Sequence, residues 1–286
     1  MILVADSGST KCDWVLADTD GKQLLTTQSE GINPMALSDK AIFSIIRENT
    51  DLQPYRSLIT QIHFYGAGCG TLSADKKMKL ILEEIFQNTN QISIKEDVIA
   101  AVHATTDQPG IICILGTGSN CSYFDGHKCI QRIPSLGYVL SDEGSGNHIG
   151  KELLRAYFHH KMPTTIKKDF EDSFEIDLNQ VLQQLYHNQN PNKYLATFGK
   201  FIFKHRQDPF AQEILNKVIE SFIDTYLTHY HQELQKYPVH FVGSIAYYAQ
   251  DIIIKQLKDR GYRASSFVRK PIDNLIKYIV LQNQKT

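Results

Sequence analysis

The sequence predicts an α/β protein in which one structural unit is used twice. Two glycine-containing turns, at residues 6–11 and 116–120, each lie between apolar runs, and such runs are typical of strands paired in a hairpin. Each hairpin then continues through an Asp-Gly turn, at Asp20-Gly21 and Asp125-Gly126, into a third predicted strand. This recurrence indicates an internal repeat, and hence two lobes of similar construction.

Composition narrows the class of protein. The chain has 286 residues, with 30 Lys and Arg against 31 Asp and Glu. A near-neutral chain has no strong attraction for nucleic acid or an anionic membrane, so we expect neither as a partner. No apolar run reaches the roughly 18 residues of a membrane helix, and the N-terminus lacks a basic leader segment. The 5 cysteines show no metal-ligand spacing, so we expect reduced thiols in a cytoplasmic protein.

The first glycine turn directly follows a buried strand predicted at residues 2–5. Its glycine frees the backbone, so that N–H groups can converge on an anion and neighbouring hydroxyls can add donors. A carboxylate beside a phosphate needs a cation between them, so we interpret Asp6 as the organiser of a Mg²⁺ ion, through water. A turn-capping role for Asp6 is the alternative, and Lys11 is either a phosphate contact or a solvated charge. The turn reads Asp6-Ser7-Gly8-Ser9-Thr10-Lys11.

A candidate sugar contact follows the third strand. Pro34 biases Asn33 toward extended backbone, and an amide held there can bond vicinal sugar hydroxyls, although Asn-Pro is also a common turn. A helix capped by Ser38 comes next. Small residues at 66–70 then end a further strand, and they would let a ligand or a neighbouring strand come close. Ser73 is predicted to open the helix after them.

Asp97 stands between a short strand, residues 92–94, and a helix that begins at Val98. One interpretation is an N-cap aspartate. The other is a general base facing a cleft between the lobes. Both can hold, because a cap position fixes the direction of the carboxylate, as a base requires.

The turn cluster at residues 106–110 is the predicted domain boundary. The N-terminal lobe would cover residues 1–107 and be completed by a terminal helix at 271–286, and the C-terminal lobe would cover 108–270. The second phosphate turn lies in this second lobe. It reads Gly116-Thr117-Gly118-Ser119-Asn120.

Two adjacent acids, Asp142 and Glu143, lie between glycines ahead of a predicted helix at 147–161. A carboxylate such as Asp142 can accept two sugar hydroxyls or orient a metal-bound water, and a capping role is the alternative. Helical segments fill residues 163–236. A strand at 239–242 then leads through Gly243 into a helix, a junction that suits an adenine or a ribose.

These motifs, in this order, resemble the sugar-kinase branch of the actin/hexokinase/Hsp70 ATPase superfamily, and within it the N-acetylglucosamine kinase-like group that shares a family with BadF/BadG-type ATPases. The resemblance spans nearly the whole chain. It implies two ribonuclease H-like lobes, an actin-like ATPase fold, with ATP and Mg²⁺ in an interlobe cleft. Ser141 and Asn274 stand where relatives often have Gly.

The resemblance also implies roles for single residues. Asp97 matches the catalytic aspartate, Thr10 and Thr117 would touch ATP phosphates, and Gly243 matches the glycine of the adenosine motif. The residues expected to hold the sugar are Asn33, Ser119, Asn120, Gly137 and Asp142. The whole predicted nucleotide site comprises Ser7, Gly8, Ser9, Thr10, Lys11, Gly116, Thr117, Gly118, Gly243 and Ser244.

The predicted function is transfer of the ATP γ-phosphate to a primary hydroxyl, by resemblance O6 of an amino sugar. N-acetylglucosamine is preferred, and N-acetylmuramic acid and glucosamine are left open, as is a homodimer. One alternative is an ATPase activator that drives electron transfer through a cysteine-held iron–sulfur cluster, although the cysteines here lie mostly in apolar runs. The other is a non-catalytic sugar-sensing protein, for which no DNA-binding extension or basic face is present.

Overall fold

The computed structural model describes residues 1–8, 10–188 and 190–284. By its internal contacts the chain divides into unit 1, Met1–Asp107 with Lys270–Thr286, and unit 2, Gln108–Arg269. None of the helices over the described residues combines the length and the apolarity that crossing a bilayer requires.

The described residues form strands and helices in the alternation expected of an α/β protein. The strands are β1 (Ile2–Ser7), β2 (Lys11–Ala17), β3 (Gln23–Glu30), β4 (Gln61–Gly66), β5 (Gln91–Glu96), β6 (Gly110–Leu115), β7 (Ser119–Phe124), β8 (Cys129–Ile130), β9 (Val239–Val242) and β10 (Ala264–Val268). The α-helices are α1 (Asp39–Arg47), α2 (Leu72–Ile85), α3 (Asp97–Thr105), α4 (Gly146–Phe158), α5 (Thr164–Ser173), α6 (Leu178–Tyr186), α7 (Pro191–Thr197), α8 (Gly199–Lys204), α9 (Pro209–Tyr226), α10 (His231–Leu234), α11 (Ser244–Tyr248), α12 (Gln250–Asp259) and α13 (Ile272–Asn283). Short 3-10 helices lie at Gln53–Leu58 and Leu227–Tyr230.

Unit 1 is built on a five-stranded mixed sheet with the order β3-β2-β1-β4-β5. The first three strands are antiparallel, and β4 and β5 run parallel to β1. Side chains alternate across β1: Leu3 and Ala5 belong to the core cluster that includes residues of α1 and α2, whereas Ile2 and Val4 pack with α13. The sheet is therefore covered on both faces, which explains why β1 is apolar throughout its first half.

Two helix starts in unit 1 differ from the sequence prediction. The N-cap of α2 is Thr71, which accepts a hydrogen bond from Ala74 N (3.2 Å), rather than Ser73. The N-cap of α3 is Glu96, so Asp97 is the first helical residue and not the cap. In both cases the helix begins one or two residues earlier than predicted, a difference of the size that helix boundaries commonly show.

The terminal helix α13 packs on α3 and β1. Asn274 donates from Nδ2 to the carbonyl of Ala104 (2.9 Å) and so satisfies a group near the end of α3. His103 stacks on Tyr278 with ring centroids 3.8 Å apart, and its Nδ1 lies 3.0 Å from the Tyr65 hydroxyl. An Asn at position 274 thus has a structural use that a glycine could not supply.

Unit 2 repeats the layout of unit 1. Its sheet has the order β10-β9-β6-β7-β8, in which β6 to β8 are antiparallel and β9 and β10 run parallel to β6. The predicted repeat is therefore confirmed at the level of strand order. The third strand is shorter than predicted, since only Cys129 and Ile130 pair with β7.

The helices of unit 2 surround α9, whose buried face includes Leu215, Val218 and Phe222. These residues belong to a single core cluster that also contains Phe170, Phe198 and residues of β6 and β9. Phe222 and Tyr226 of α9 are therefore core residues, and Phe210 packs against the same cluster. The single helix predicted after Gly243 is divided into α11 and α12 near Ala249.

Candidate active site

Two carboxylates of unit 1 come close enough to affect each other's ionisation. Asp6 lies near the end of β1, on the sheet face of Ile2 and Val4, and Asp97 begins α3 on that side. Burial raises the pKa of Asp97 to about 6, against the opposing effect of the Val98 backbone N–H. Burial also raises the pKa of Asp6 to about 7, and the negative charges of Asp97 and Asp13 add to this. Asp97 therefore ionises first, and its charge opposes the ionisation of Asp6.

This arrangement would suit Asp97 to the general-base role predicted from the sequence. A carboxylate that burial has made more basic than usual still loses its proton by neutral pH, and it then accepts a proton readily. Its place in the first turn of α3 puts the carboxylate beside the backbone N–H groups of Val98 and Asp97, which partly offset the effect of burial on its pKa.

The raised pKa of Asp97 predicts an acid limb in the activity profile. We expect log kcat/KM for the acceptor, at saturating ATP and magnesium, to fall as the pH falls through about 6, because protonated Asp97 cannot accept a proton. Glu96 raises the pKa of Asp97 by its charge, so Glu96→Gln should move the limb to lower pH. A wild-type limb close to 3.8, the ordinary value, would contradict the raised pKa.

The carboxylates of unit 1 fit a hydrated magnesium ion. Asp6, Asp13 and Asp97 concentrate negative charge in a buried region, which a cation would relieve. Over the described ranges, no group of three or more His, Cys, Asp or Glu side chains could hold a metal by itself. The donors present would therefore suit an ion that keeps most of its water and is shared with phosphate oxygens, and this role of Asp6 stays a prediction.

Among the described residues, the negative charge of Asp13, unlike those of Asp6 and Asp97, is compensated by ion pairs with lysines. Its carboxylate lies 2.6 Å from Lys11 Nζ and 3.4 Å from Lys270 Nζ, and it accepts a hydrogen bond from Gln28 Nε2. Burial alone would raise the pKa of Asp13, but Lys11, Gln28 and Lys270 together hold it below its usual value. The Lys11 side chain is thus paired with Asp13 while remaining 49% exposed.

The first glycine turn keeps an open face. Gly8 N–H donates to the carbonyl of Lys11 (3.0 Å), and a Cβ atom on Gly8 would come no closer than 4.0 Å to any other group. Thr10 is partly exposed in the same turn. Ser9, a predicted phosphate contact, lies outside the described residues.

Ser7 joins the glycine turn to the segment that carries Asn33. Its hydroxyl is fully buried, accepts from Ile32 N (2.8 Å) and donates to Ile32 O (3.1 Å). The contribution of Ser7 to a phosphate site would therefore be to hold this segment in place, since its hydroxyl is already used.

Two side chains, those of Asn33 and Glu96, pack against the small residues at 66–70. Gly68, with φ +79°, leaves room for Asn33, because a Cβ there would lie 2.1 Å from Asn33 Oδ1. Gly70, with φ +99°, leaves room for Glu96, because a Cβ there would lie 2.0 Å from Glu96 Oε1. Asn33 Oδ1 also accepts from Met35 N (2.9 Å), while Nδ2 makes no hydrogen bond within the described residues. The loop thus fixes Asn33 with its amide N–H groups available to a ligand.

The second glycine turn, between β6 and β7, is tied to the start of α4. Gly116 N–H donates to the carbonyl of Gly118 (2.9 Å), and the carbonyls of Gly116 and Thr117 accept from Gly146 N (2.8 Å) and Asn147 N (3.1 Å). A Cβ atom on Gly116 would have no neighbour within 4 Å, whereas one on Gly118 would lie 2.9 Å from both Asp142 carboxylate oxygens. One face of the turn is therefore open, and the other is packed.

This difference predicts opposite behaviour for two alanine variants. Gly116→Ala should leave the Tm within about 1 °C of wild type yet weaken ATP binding, because its methyl group would stand on the open face where a phosphate would lie. Gly118→Ala should lower the Tm, since the methyl group would displace Asp142. Thermal unfolding and nucleotide titration measure both effects. Unchanged ATP affinity in Gly116→Ala would argue against a phosphate at this turn.

Gly243 places the connection between β9 and α11 directly against the second glycine turn. It has φ +110°, and a Cβ there would lie 2.3 Å from the carbonyl of Leu115, so only glycine allows this approach. Its N–H donates to the carbonyl of Val268 (2.9 Å). The exposed Ser244 follows at the start of α11. The residues predicted for the adenosine therefore adjoin those predicted for the phosphates in unit 2.

Two of the predicted sugar residues of unit 2, Ser119 and Asp142, contact each other directly. Ser119 N–H donates to Asp142 Oδ1 (3.1 Å), and Asn147 Nδ2 donates to Oδ2 (3.0 Å). Gly137, with φ +76°, closes the preceding loop by accepting from Ser141 N (2.8 Å). Asn120 is partly exposed on β7, and its Oδ1 accepts from Ser122 Oγ at 3.4 Å. The sequence did not identify Asn147, because nothing in a helix-opening Asn points to a partner five residues earlier.

The model of the BadF/BadG/BcrA/BcrD ATPase family matches residues 5–273. The chain belongs to this family. The resemblance inferred from the motifs is thereby confirmed, and so is the two-sheet α/β fold that it implied.

Several relatives of this BadF/BadG-family chain are described as kinases. A crystal structure from Porphyromonas gingivalis, described as that of a candidate N-acetylglucosamine kinase, is 31% identical, with a TM-score of 0.91 over 99% of this chain and 100% of that one. The N-acetylmuramic acid/N-acetylglucosamine kinase of Clostridium acetobutylicum is 23% identical over 212 residues, 70% of this chain and 69% of that protein. A further candidate N-acetylglucosamine kinase, from Chromobacterium violaceum, shares the fold with a TM-score of 0.70 at 15% identity, over 97% and 98% of the chains. The expectation of a kinase-type enzyme is confirmed at this level.

Proposed function

We propose that this chain transfers the γ-phosphate of ATP to a primary hydroxyl of an amino sugar, with O6 of N-acetylglucosamine as the first candidate acceptor. The observation that carries the proposal is the pairing of Asp97 with Asp6 beside a glycine turn in unit 1. Phosphoryl transfer needs a base for the attacking hydroxyl, and it needs charge compensation for the phosphates. The names of the Porphyromonas and Clostridium relatives support an N-acetylated amino sugar as the acceptor class.

Each unit supplies one part of this machinery. In unit 1, Asp97 accepts the hydroxyl proton, the turn with Gly8 and Thr10 donates to phosphate, and Asn33 donates to the sugar. In unit 2, the turn from Gly116 to Gly118 donates to phosphate, and Ser119, Asn120, Gly137 and Asp142 contact the sugar. Gly243 and Ser244 border the nucleoside.

Asp6 would hold the magnesium ion through water. When bound, Mg²⁺ supplies positive charge that offsets the charge of the phosphates during transfer. Asp6 itself would orient the water around that ion, and burial together with the charge of Asp97 raises its pKa. Lys11 and Lys270, which lower the pKa of Asp6, contribute part of the compensation from the protein.

An ADP-release screen tests the proposal. Purified protein with ATP and magnesium would be offered N-acetylglucosamine, N-acetylmuramic acid, glucosamine, N-acetylmannosamine and glucose, each beside a control without sugar. We expect ADP release that depends on an amino sugar and a product phosphorylated at O6, identified by NMR. N-acetylmuramic acid or glucosamine as the best acceptor would retain the reaction class and change the substrate.

Two outcomes would favour the other functions considered from the sequence. ATP hydrolysis that no sugar stimulates, together with iron in the purified protein, would favour an ATPase activator. Sugar binding by calorimetry without any ADP release would favour a sensor. Either outcome would overturn the proposed transfer reaction.

A further inference from the structure

The carboxylate of Asp142 lies directly beneath the second glycine turn. Both carboxylate oxygens would be 2.9 Å from a Cβ atom on Gly118, which is closer than packed side chains allow. The residue is 7% exposed, and each oxygen accepts a hydrogen bond, one from Ser119 N–H and the other from Asn147 Nδ2. The side chain thus joins the end of the turn to the start of α4.

The backbone of Asp142 is also fixed by hydrogen bonds. Its φ of +71° lies in the left-handed region, which non-glycine residues occupy only when the surroundings enforce it. Ser145 Oγ donates to the carbonyl of Asp142 (2.6 Å), and Asp142 N–H donates to the Tyr226 hydroxyl (3.3 Å). Such a network positions the carboxylate under the turn whether or not a sugar is present.

We propose that Asp142 is a positioning residue for the phosphate turn, and that it sets nucleotide affinity even in the absence of sugar. The inference rests on the proposed function for the nucleotide, and it adds a role to the sugar contact proposed for Asp142. The two roles are compatible because each carboxylate oxygen has two lone pairs, and the protein uses one of each. Asp142 does not touch the nucleotide in this proposal and acts through Ser119 and Gly118.

Asn147 makes the proposal testable without altering any ligand contact. Asn147 is 0% exposed, so neither sugar nor nucleotide can reach its side chain. Its Nδ2 bonds to Asp142, while its Oδ1 is buried without a hydrogen-bond partner among the described residues. The bond to Asp142 is therefore the polar contact that this side chain makes, and its loss should reach the turn only through that carboxylate.

The experiment measures ADP binding with magnesium and no sugar, by calorimetry, in wild type, Asp142→Ala and Asn147→Leu. We expect both variants to bind ADP about tenfold more weakly, since a charge-assisted hydrogen bond that orders the turn is lost. The matched control is Asp125→Ala. Asp125 accepts from His127 N (2.8 Å) and Lys128 N (2.9 Å) in the turn at the other end of β7, so this variant should bind ADP as wild type does.

A charge swap separates positioning from simple loss of structure. In Asp142→Asn with Asn147→Asp, the new amide accepts from Ser119 N–H and donates to the new carboxylate, so the link between turn and helix is restored. We expect ADP affinity within about threefold of wild type in the swap, whereas a variant that was merely destabilised would not recover. The swap should still bind sugar more weakly if the Asp142 charge contacts sugar hydroxyls.

Hydrogen exchange of the Ser119 amide gives a readout that needs no ligand. It should be faster in Asp142→Ala than in wild type and unchanged in Asp125→Ala. Unaltered ADP affinity in both Asp142→Ala and Asn147→Leu, with or without a loss of sugar affinity, would overturn the positioning role. If wild type bound no ADP, the proposed function would fail instead, and Ser119 exchange would still decide whether Asp142 holds the turn.

Discussion

Asp97→Asn is expected to lower kcat at least about 10²-fold while binding of ATP and sugar stays within about twofold of wild type. The amide has nearly the same shape as the carboxylate but cannot accept the hydroxyl proton. It also removes a charge that raises the pKa of Asp6, so Asp6 stays ionised and available to the magnesium ion of the nucleotide. Steady-state kinetics and calorimetry with a non-hydrolysable nucleotide would measure the two effects separately.

The matched control for this variant is Glu96→Gln, one residue earlier. Glu96 is exposed, caps α3 without a side-chain hydrogen bond and packs on Gly70. Its amide should preserve that packing, so kcat at pH 8 should stay within about threefold of wild type, because Asp97 is ionised there in either case. Normal turnover in Asp97→Asn would reduce Asp97 to a residue that stabilises the helix start.

Asp6→Asn is expected to have effects of opposite sign on activity and on stability. Activity should fall about 10²-fold or more, since a group that orients the ion and its charge compensation is lost. The ligand-free protein should become more stable at pH 8, because Asp6 is held ionised there in a buried site beside Asp97 and Asp13. Functional carboxylates that lower stability in this way are a common cost of an active site.

The pH dependence follows from the direction of the shift. The folded protein raises the pKa of Asp6 from 3.8 to about 7, so the folded state binds this proton more tightly than the unfolded chain does. The Asp6 contribution to stability is therefore greatest at low pH and is lost as the pH rises toward 7. Asp6→Asn should raise the free energy of unfolding by about 2 kcal/mol at pH 8 and much less at pH 5, after allowing for partial exposure.

Asp13 provides the matched control, since it faces Asp6 across the β1–β2 pair. Its pKa is lowered by Lys11, Gln28 and Lys270, so its charge stabilises the fold above the ordinary pKa of 3.8 and this contribution is lost in acid. Asp13→Asn should therefore lower the Tm at pH 8, where Asp6→Asn raises it. Equal Tm changes of the same sign in both variants would show that the charges of the cluster are not arranged as described.

Much of the architecture could be predicted because its signals are local. The two hairpins carry apolar runs interrupted by glycine turns, so their strands follow from periodicity and turn chemistry. The cap at Ser38 is local in the same way and is found in the structure, where Ser38 Oγ accepts from Ala41 N. The start of α2 was missed because Thr71 and Ser73 are equally good caps by composition, whereas in the structure it is the Thr71 hydroxyl that accepts from Ala74 N.

The contacts that complete the candidate site are long-range and were not predicted. The bond from Ile32 to the Ser7 hydroxyl joins residues 25 apart, and the bond from Ser119 to Asp142 joins residues 23 apart. The small residues at 66–70 predict the close approach of a ligand or a neighbouring strand. In the structure, the side chains of Asn33 and Glu96 occupy the space beside Gly68 and Gly70. A small residue shows that something approaches closely, and the identity of the neighbour depends on chain paths that local patterns do not encode.

By itself the sequence determined that this protein has two similar halves, each with a glycine-containing turn, and that an aspartate stands where a strand passes into a helix. Only the tertiary structure decided that Asp97 acts on the ionisation of Asp6 and that Asp142 supports the second turn. The physical reason is that periodicity and turn propensity act between neighbours along the chain. Burial and charge act between groups that the completed sheets bring together.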